Sequence, residues 1–296
     1  MGHHHHHDHT TGNIKTAFFL NLFFTLIEIV GGILTNSMAI ISDALHDLGD
    51  SLSLGLSWFL QKYSKKEHNN DYTFGYKRFS LLAALINSVV LIVGSIFIFT
   101  EAIPRLLNPV SPNASGMIML AILGVLVNGA AVFKLRGGES MNAKVMTWHL
   151  LEDVLGWVAV LIVSIILLFK DIPILDPLLS IGITLYILYN VVINFKKTMS
   201  LFLEKVPEGI DFASLKKKME DIHLVHSIHH THLWSLDGEH HAFSTHVVVP
   251  ENTTRDEVCT IKEKIKDILG DIHLDHVTIE VEYEDEECSV LELTHH

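Results

Sequence analysis

The sequence predicts an all-α membrane domain of six helical spans, followed by a small soluble α+β domain of order α-β-β-α-β. Three observations carry that prediction. Of the 296 residues 49% are hydrophobic, and they concentrate in 14–200, whereas soluble domains seldom combine such a composition with long uncharged runs. Roughly twenty apolar residues cross the hydrocarbon core, and six stretches qualify: about 15–35, 38–60, 79–101, 115–134, 145–169 and 174–196. From about 201 the apolar runs give way to short alternating and amphipathic segments rich in charge and histidine.

The first stretch is not a cleavable leader, since it lacks a basic n-region and a small-residue cleavage site, and more spans follow. Gly31-Gly32 and Asn36 close a tight hairpin into the second stretch. The connection 61–78 carries Lys62, Lys65, Lys66, Lys77 and Arg78. Pro104, Pro109 and Pro112 punctuate the turn after the third stretch, and Lys134, Arg136 and Lys144 flank the next connection. Asp171, Pro173, Asp176 and Pro177 mark the short turn before the sixth, which ends in Lys196 and Lys197. The opposite side offers Arg105 and Lys170, so the positive-inside rule places both termini in the cytoplasm. The spans themselves imply membrane lipid as a partner.

In the soluble part, 211–222 reads as an amphipathic helix with Phe212, Leu215, Met219 and Ile222 on one face. Residues 225–236 and 240–249 alternate as strands around the turn signal Asp237-Gly238. A second helix over about 253–269 and a strand over 273–283 complete an open sandwich, with both helices on one sheet face. The domain boundaries follow: a histidine-rich tail over 1–13, the membrane domain over 14–200, the soluble domain over 201–287 and a short tail over 288–296.

Inside two of the spans sit matching tetrads, His46-x-x-x-Asp50 and His149-x-x-x-Asp153. A carboxylate at the bilayer centre costs about 2.5–3.5 kcal/mol on insertion scales, and such residues usually mark an ion or proton pathway. Helical residues four apart share a face, so each tetrad makes a two-ligand edge. With the second span descending to the cytoplasm near Leu60, Asp50 lies about ten residues, or ~15 Å, from that side. The fifth span ascends from about Met141 and brings His149 and Asp153 to a similar depth. The two edges can close a His2Asp2 shell. Nitrogen and oxygen ligands in that number suit Zn2+, while Mg2+ and Ca2+ ask for more oxygen; cobalt, nickel, iron and cadmium stay open. The competing reading is that each pair is polar glue between helices. Asp43 and Asp47 share the stripe, either as auxiliary ligands or as hydrogen-bonding groups, and Asn21, Glu28, Asn87, Asn128 and Glu152 are assigned no metal.

A net charge of −13 with few basic clusters argues against a nucleic-acid partner. The 21 histidines favour a zinc-class metal. Two cysteines, Cys259 and Cys288, give no disulfide framework and suit a reducing cytosol. A histidine must be neutral and a carboxylate ionised to ligate, so metal binding at such a shell expels protons and acid expels metal.

The string Ser42-Asp-Ala-Leu-His46-Asp-Leu-Gly-Asp50 resembles the metal-binding span of the cation diffusion facilitator family. So do Thr73-Phe-Gly-Tyr-Lys-Arg78, Asp176-Pro-Leu-Leu-Ser180 and, in the soluble part, His230-Thr-His-Leu-Trp-Ser-Leu236 and His246-Val-Val-Val. The likeness runs from about 13 to 284. The resemblance implies a homodimer of six-span subunits that exports metal in exchange for protons. The His-x-x-x-Asp pair on both helices is similar to the zinc-transporting branch. A short loop over 135–143 without a histidine-rich insert is similar to bacterial members, hence a plasma-membrane location. It further implies a regulatory metal site at His232, His246, Asp275 or His276, and Glu282, with solvent-facing histidines as the competing reading. Lys77 and Arg78 with Glu204 are expected to form a charge interlock across the dimer.

His68 and Asp71 are candidates for a peripheral metal in the loop before the third span, or ordinary solvated residues. Residues 3–9, His-His-His-His-His-Asp-His, read either as a purification tag or as a native metal-collecting tail. Two other classes compete with a transporter. A membrane metalloenzyme would need an open coordination position and a nearby base, and no His-Glu-x-x-His string occurs. A non-transporting metal sensor would need an output domain, and no helix-turn-helix pattern supports one.

Overall fold

The first turn of the second helix has no spare backbone donors, and that accounting shows how the membrane domain is assembled. In the computed structural model, which describes residues 8–64, 68–135, 141–270 and 272–286, six long helices occupy the predicted stretches. They are α1 (Asp8–Thr35), α2 (Met38–Ser64), α3 (Phe79–Leu107), α4 (Ala114–Leu135), α5 (Met141–Phe169) and α6 (Leu175–Phe202). Five are long and apolar enough to cross a membrane; α2 falls short by composition because Asp43, His46, Asp47 and Asp50 interrupt its middle. The expected tail over 1–13 overlaps α1, which begins at Asp8, while residues 1–7 and 287–296, with Cys288, lie outside the described residues.

Asn36 adopts φ 54 between α1 and α2, and Ser37 N donates to Gly32 O at 3.0 Å, the left-handed turn that ends a helix. Met38 N and Ala39 N, the first amides of α2, donate to the Asp176 carboxylate at 2.7 and 3.3 Å. Ile40 N donates to Ser37 Oγ at 3.3 Å, and that hydroxyl donates to Asp176 at 2.6 Å. Ile41 N returns to Ser37 O. All four unpaired amides of the helix start are therefore satisfied. Two turns on, Ser42 Oγ meets Ser180 O and Thr184 Oγ1, so Asp176, Ser180 and Thr184, four apart on α6, hold α2 in register.

Apolar packing completes the bundle. A Cβ placed on Gly49 would lie 2.5 Å from Leu91, and one on Gly94 would lie 2.4 Å from Leu45, so each helix of the α2/α3 pair receives a leucine in the other's glycine notch. Gly124 of α4 lies flat against Trp157 of α5, where a Cβ would meet ring atoms at 2.2–2.5 Å. Ala39 and Ile40 of α2 join Met117, Ala121, Trp157 and Val160 in one buried cluster.

The C-terminal domain has the predicted order: α7 (Phe212–Glu220), β1 (Ser227–Ser235), β2 (His241–Val249), α8 (Arg255–Ile268) and β3 (Leu274–Tyr283). Asp211 caps α7, and Thr254 with Glu257 forms a capping box at α8. The strands run β1-β2-β3; β1 and β2 form an antiparallel hairpin, and α8 makes the crossover that lets β3 pair parallel to β2. Leu215 and Met219 of α7 and Ile261 and Ile265 of α8 pack on Ile228, Phe243 and Val247. In the β1–β2 turn, Gly238 takes φ 104, a conformation that favours glycine.

Candidate metal centre

Helical spacing stacks the four predicted side chains into two edges, and the packing of α2 against α5 turns those edges toward each other. His149 Nε2 lies 2.9 Å from Asp50 Oδ2. His46 Nε2 lies 3.8 Å from Asp50 Oδ2 and 3.9 Å from Asp153 Oδ1. The two imidazole rings are edge to face, with centroids 5.6 Å apart. Ligand atoms 2.0–2.1 Å from a tetrahedral ion are about 3.3 Å from one another; His46, Asp50 and His149 each bring one ligand atom within 4.8 Å of the others, whereas Asp153 stands outside that group and approaches it through His46. The hydrogen bond between His149 and Asp50 requires a proton, which an ion at this point has to replace.

Accessibility differs from residue to residue along the α2/α5 seam. Asp43 and Asp47 are 6% and 5% exposed and Glu28 1%, so these carboxylates are enclosed by the bundle. Asn21 donates to Asp47 O and to Ser51 Oγ, both at 3.1 Å. His46, Asp50 and His149 are 26%, 30% and 40% exposed as side chains. Toward the Met38 end, the seam closes on the Ala39–Ile40–Trp157–Val160 cluster. Sequence reasoning missed Asp176 as the group that fixes this arrangement. The Asp-Pro step at a helix start was the available signal, and it does not name a partner 138 residues away.

The C-terminal residues assemble differently from expectation. His246 Nδ1 lies 2.6 Å from Glu282 Oε1, and His229 Nε2 lies 3.1 Å from Glu282 Oε2. Thus His229, not His232, faces His246. The cause is a bulge between His229 and His232, where His230 adopts φ 45; beyond it His232 pairs with Ser244. His232 instead lines a cleft with Glu204, Phe212 and Trp234.

Asp275 and His276 do not join Glu282. They stand seven and six residues away on β3, about 20 Å at 3.3 Å per residue. Asp275 pairs with Lys77, and the ring of His276 contacts Phe74 with centroids 5.4 Å apart. Arg78 Nη2 bonds Glu204 Oε1 at 2.6 Å within the chain. His68 and Asp71 are exposed, and among the described residues neither belongs to a group of three ligand atoms within 4.8 Å.

Two family signatures match, described as the cation efflux transmembrane domain, over residues 14–203, and the cation efflux protein cytoplasmic domain, over residues 207–284. The chain belongs to the cation efflux family. It is a multi-pass membrane transporter of that family, not an enzyme. Among curated cation efflux proteins it is 35% identical over 291 residues to the cadmium, cobalt and zinc/H(+)-K(+) antiporter of Bacillus subtilis, covering 96% of this chain and 93% of the relative. It is 33% identical over 288 residues to the metal cation efflux system protein CzcD of Cupriavidus metallidurans, covering 95% and 90%. It is 32% identical over 297 residues to the zinc transporter ZitB of Escherichia coli, covering 96% and 93%.

Proposed function

We propose that this cation efflux protein exports Zn2+ from the cytosol in exchange for protons, by alternating access around His46, Asp50, His149 and Asp153. The single observation that carries this reading is the convergence of His46, Asp50 and His149 from α2 and α5 within 4.8 Å, with Asp153 3.9 Å from His46. The names of the relatives, a cadmium, cobalt and zinc antiporter and a zinc transporter, support zinc as cargo and leave cadmium and cobalt as further substrates. In this reading the protein is a homodimer in a bacterial plasma membrane with both termini cytoplasmic, consistent with the basic loops at 61–78 and 134–144.

The site's chemistry supplies the coupling. Without metal, a proton lies between His149 and Asp50; loading needs neutral imidazole and ionised carboxylate, so cargo and proton exclude each other. Opening toward an acidic exterior then favours protonation and release. In the C-terminal domain, His229, His246 and Glu282 hold a regulatory ion, in place of the set expected around His232.

Flux of Zn2+ by purified protein in liposomes tests the reading. Uptake is expected to follow an imposed pH gradient, and Asp50→Ala or Asp153→Ala to abolish it while protein yield and dimerisation persist. Flux that ignores the gradient, or survives both substitutions, would overturn it. Exchanging K+ for Na+ across the same vesicles separates proton from potassium coupling.

A further inference from the structure

The opposite end of the C-terminal sheet carries a second group of ligands, which the function above does not use. His240 closes the β1–β2 turn, and His273 and Asp275 flank the start of β3. One ligand atom from each lies within 4.8 Å of the others, and the His240 and His273 rings are 5.0 Å apart. Strand register brings them together. His241 begins β2 opposite Leu274, and its amide donates to His273 O at 3.0 Å, so the residues on either side of that pair meet at one edge.

Asp237 prepares His240 for coordination. Its carboxylate accepts from Glu239 N at 2.9 Å and His240 N at 2.8 Å, and meets His240 Nδ1 at 2.7 Å. A carboxylate on Nδ1 places the ring proton there and leaves the Nε2 lone pair free, the support that metal-binding histidines nearly always have. The cation that now faces Asp275 is the Lys77 ammonium, from the segment that precedes α3. Asp275 is 31% and Lys77 27% exposed as side chains, so an ion can reach the carboxylate from solvent.

We propose that His240, His273 and Asp275 form a binding site for a zinc-class divalent cation, oriented by Asp237, whose loading displaces Lys77 from Asp275. Two imidazole nitrogens and one carboxylate oxygen leave a fourth tetrahedral position for water. A dication replaces a monovalent ammonium at Asp275, so the anchor of the 68–78 segment on this domain depends on cytosolic metal.

The test counts ions on the full-length protein carrying Asp50→Ala and Asp153→Ala, which removes the transport site and makes the count independent of whether that site moves zinc. Equilibrium dialysis with Zn2+ and the absorption of bound Co2+ are the readouts. His273→Ala, at an exposed position, and the milder His273→Gln are expected to bind one ion fewer per chain than this parent. Asp237→Asn should weaken the same site about 10–100-fold, and Lys77→Ala should tighten it. Equal ion counts and affinities in both His273 variants and the parent would overturn the site. An unchanged affinity in Lys77→Ala would overturn the displacement of the lysine.

Discussion

Asp176→Ala removes the acceptor on which the start of α2 depends. Three donors lose their partner: Ser37 Oγ at 2.6 Å, Met38 N at 2.7 Å and Ala39 N at 3.3 Å. Asp176 is 1% exposed and Ser37 0%, so water does not replace the carboxylate without local opening. A buried donor left unsatisfied costs about 1–3 kcal/mol, so three give ~3–9 kcal/mol. Releasing the desolvated carboxylate offsets part of this, and a net loss of about 3–5 kcal/mol remains, near the upper end for single substitutions. At roughly 2–4 °C per kcal/mol for a domain of this size, the melting temperature should fall by about 6–20 °C. Asp176→Asn keeps one carbonyl acceptor and should lose about half as much. Tryptophan fluorescence during heating of the detergent-purified protein measures both, and Zn2+ flux should fall in parallel because α2 carries His46 and Asp50. A melting temperature for Asp176→Ala within ~2 °C of the parent, or below that of Asp176→Asn by nothing, would refute the capping argument.

Gly124→Ala should cost about 1–3 kcal/mol through overpacking against Trp157, whereas Gly129→Ala, whose added Cβ meets nothing within 4 Å, should be neutral; equal melting temperatures would contradict the α4/α5 contact. Acid should weaken the C-terminal domain. Burial, followed by the nearby His273 and His240, holds His241 below its ordinary range despite Asp237 and Asp275, so the unfolded chain takes up its proton first. Stability is then full above about pH 6.5 and falls as pH drops from there toward the folded-state value. Asp237 acts in the same direction at lower pH. Burial raises its pKa, but the amides of His240 and Glu239 and the His240 ring overcome this and hold the carboxyl below the usual range. Protection factors in β2, with the intrinsic pH dependence of amide exchange divided out, that stay constant from about pH 7 to about pH 5 would contradict this.

The approach of His46, Asp50 and His149 was legible because helical periodicity is local: a four-residue step fixes a face, and a count from the span ends fixes a depth. That logic brought His46, Asp50, His149 and Asp153 to one level without knowledge of how α2 packs. Strand periodicity is equally local but fails at a single inserted residue. The bulge at His230 exchanges His232 for His229 beside His246. The seven residues between Asp275 and Glu282 on one strand already separated them by about 20 Å, and the family likeness pulled the other way. Asp176 was not legible as a cap, because its partners on α2 are encoded far away in the chain. Lys77 and Arg78 read as ion-pairing residues from their charge and position, and within the chain they meet Asp275 and Glu204; Asp275 as the partner of Lys77 has no local signal in the sequence.

The tight cluster of Ala39, Ile40, Trp157 and Val160 acts as a gasket on one end of the α2/α5 seam. His46, Asp50 and His149 follow this cluster along the seam and are partly exposed, so in the proposed reading the cluster acts as a plug on one side of the site. In that reading cargo leaves by the far side only when the plug is unpacked and remade, which makes its apolar area part of the energy barrier to turnover. Tethering α2 to α5 at this level is expected to permit loading and stop release; undiminished flux through a tethered protein would place the exit elsewhere.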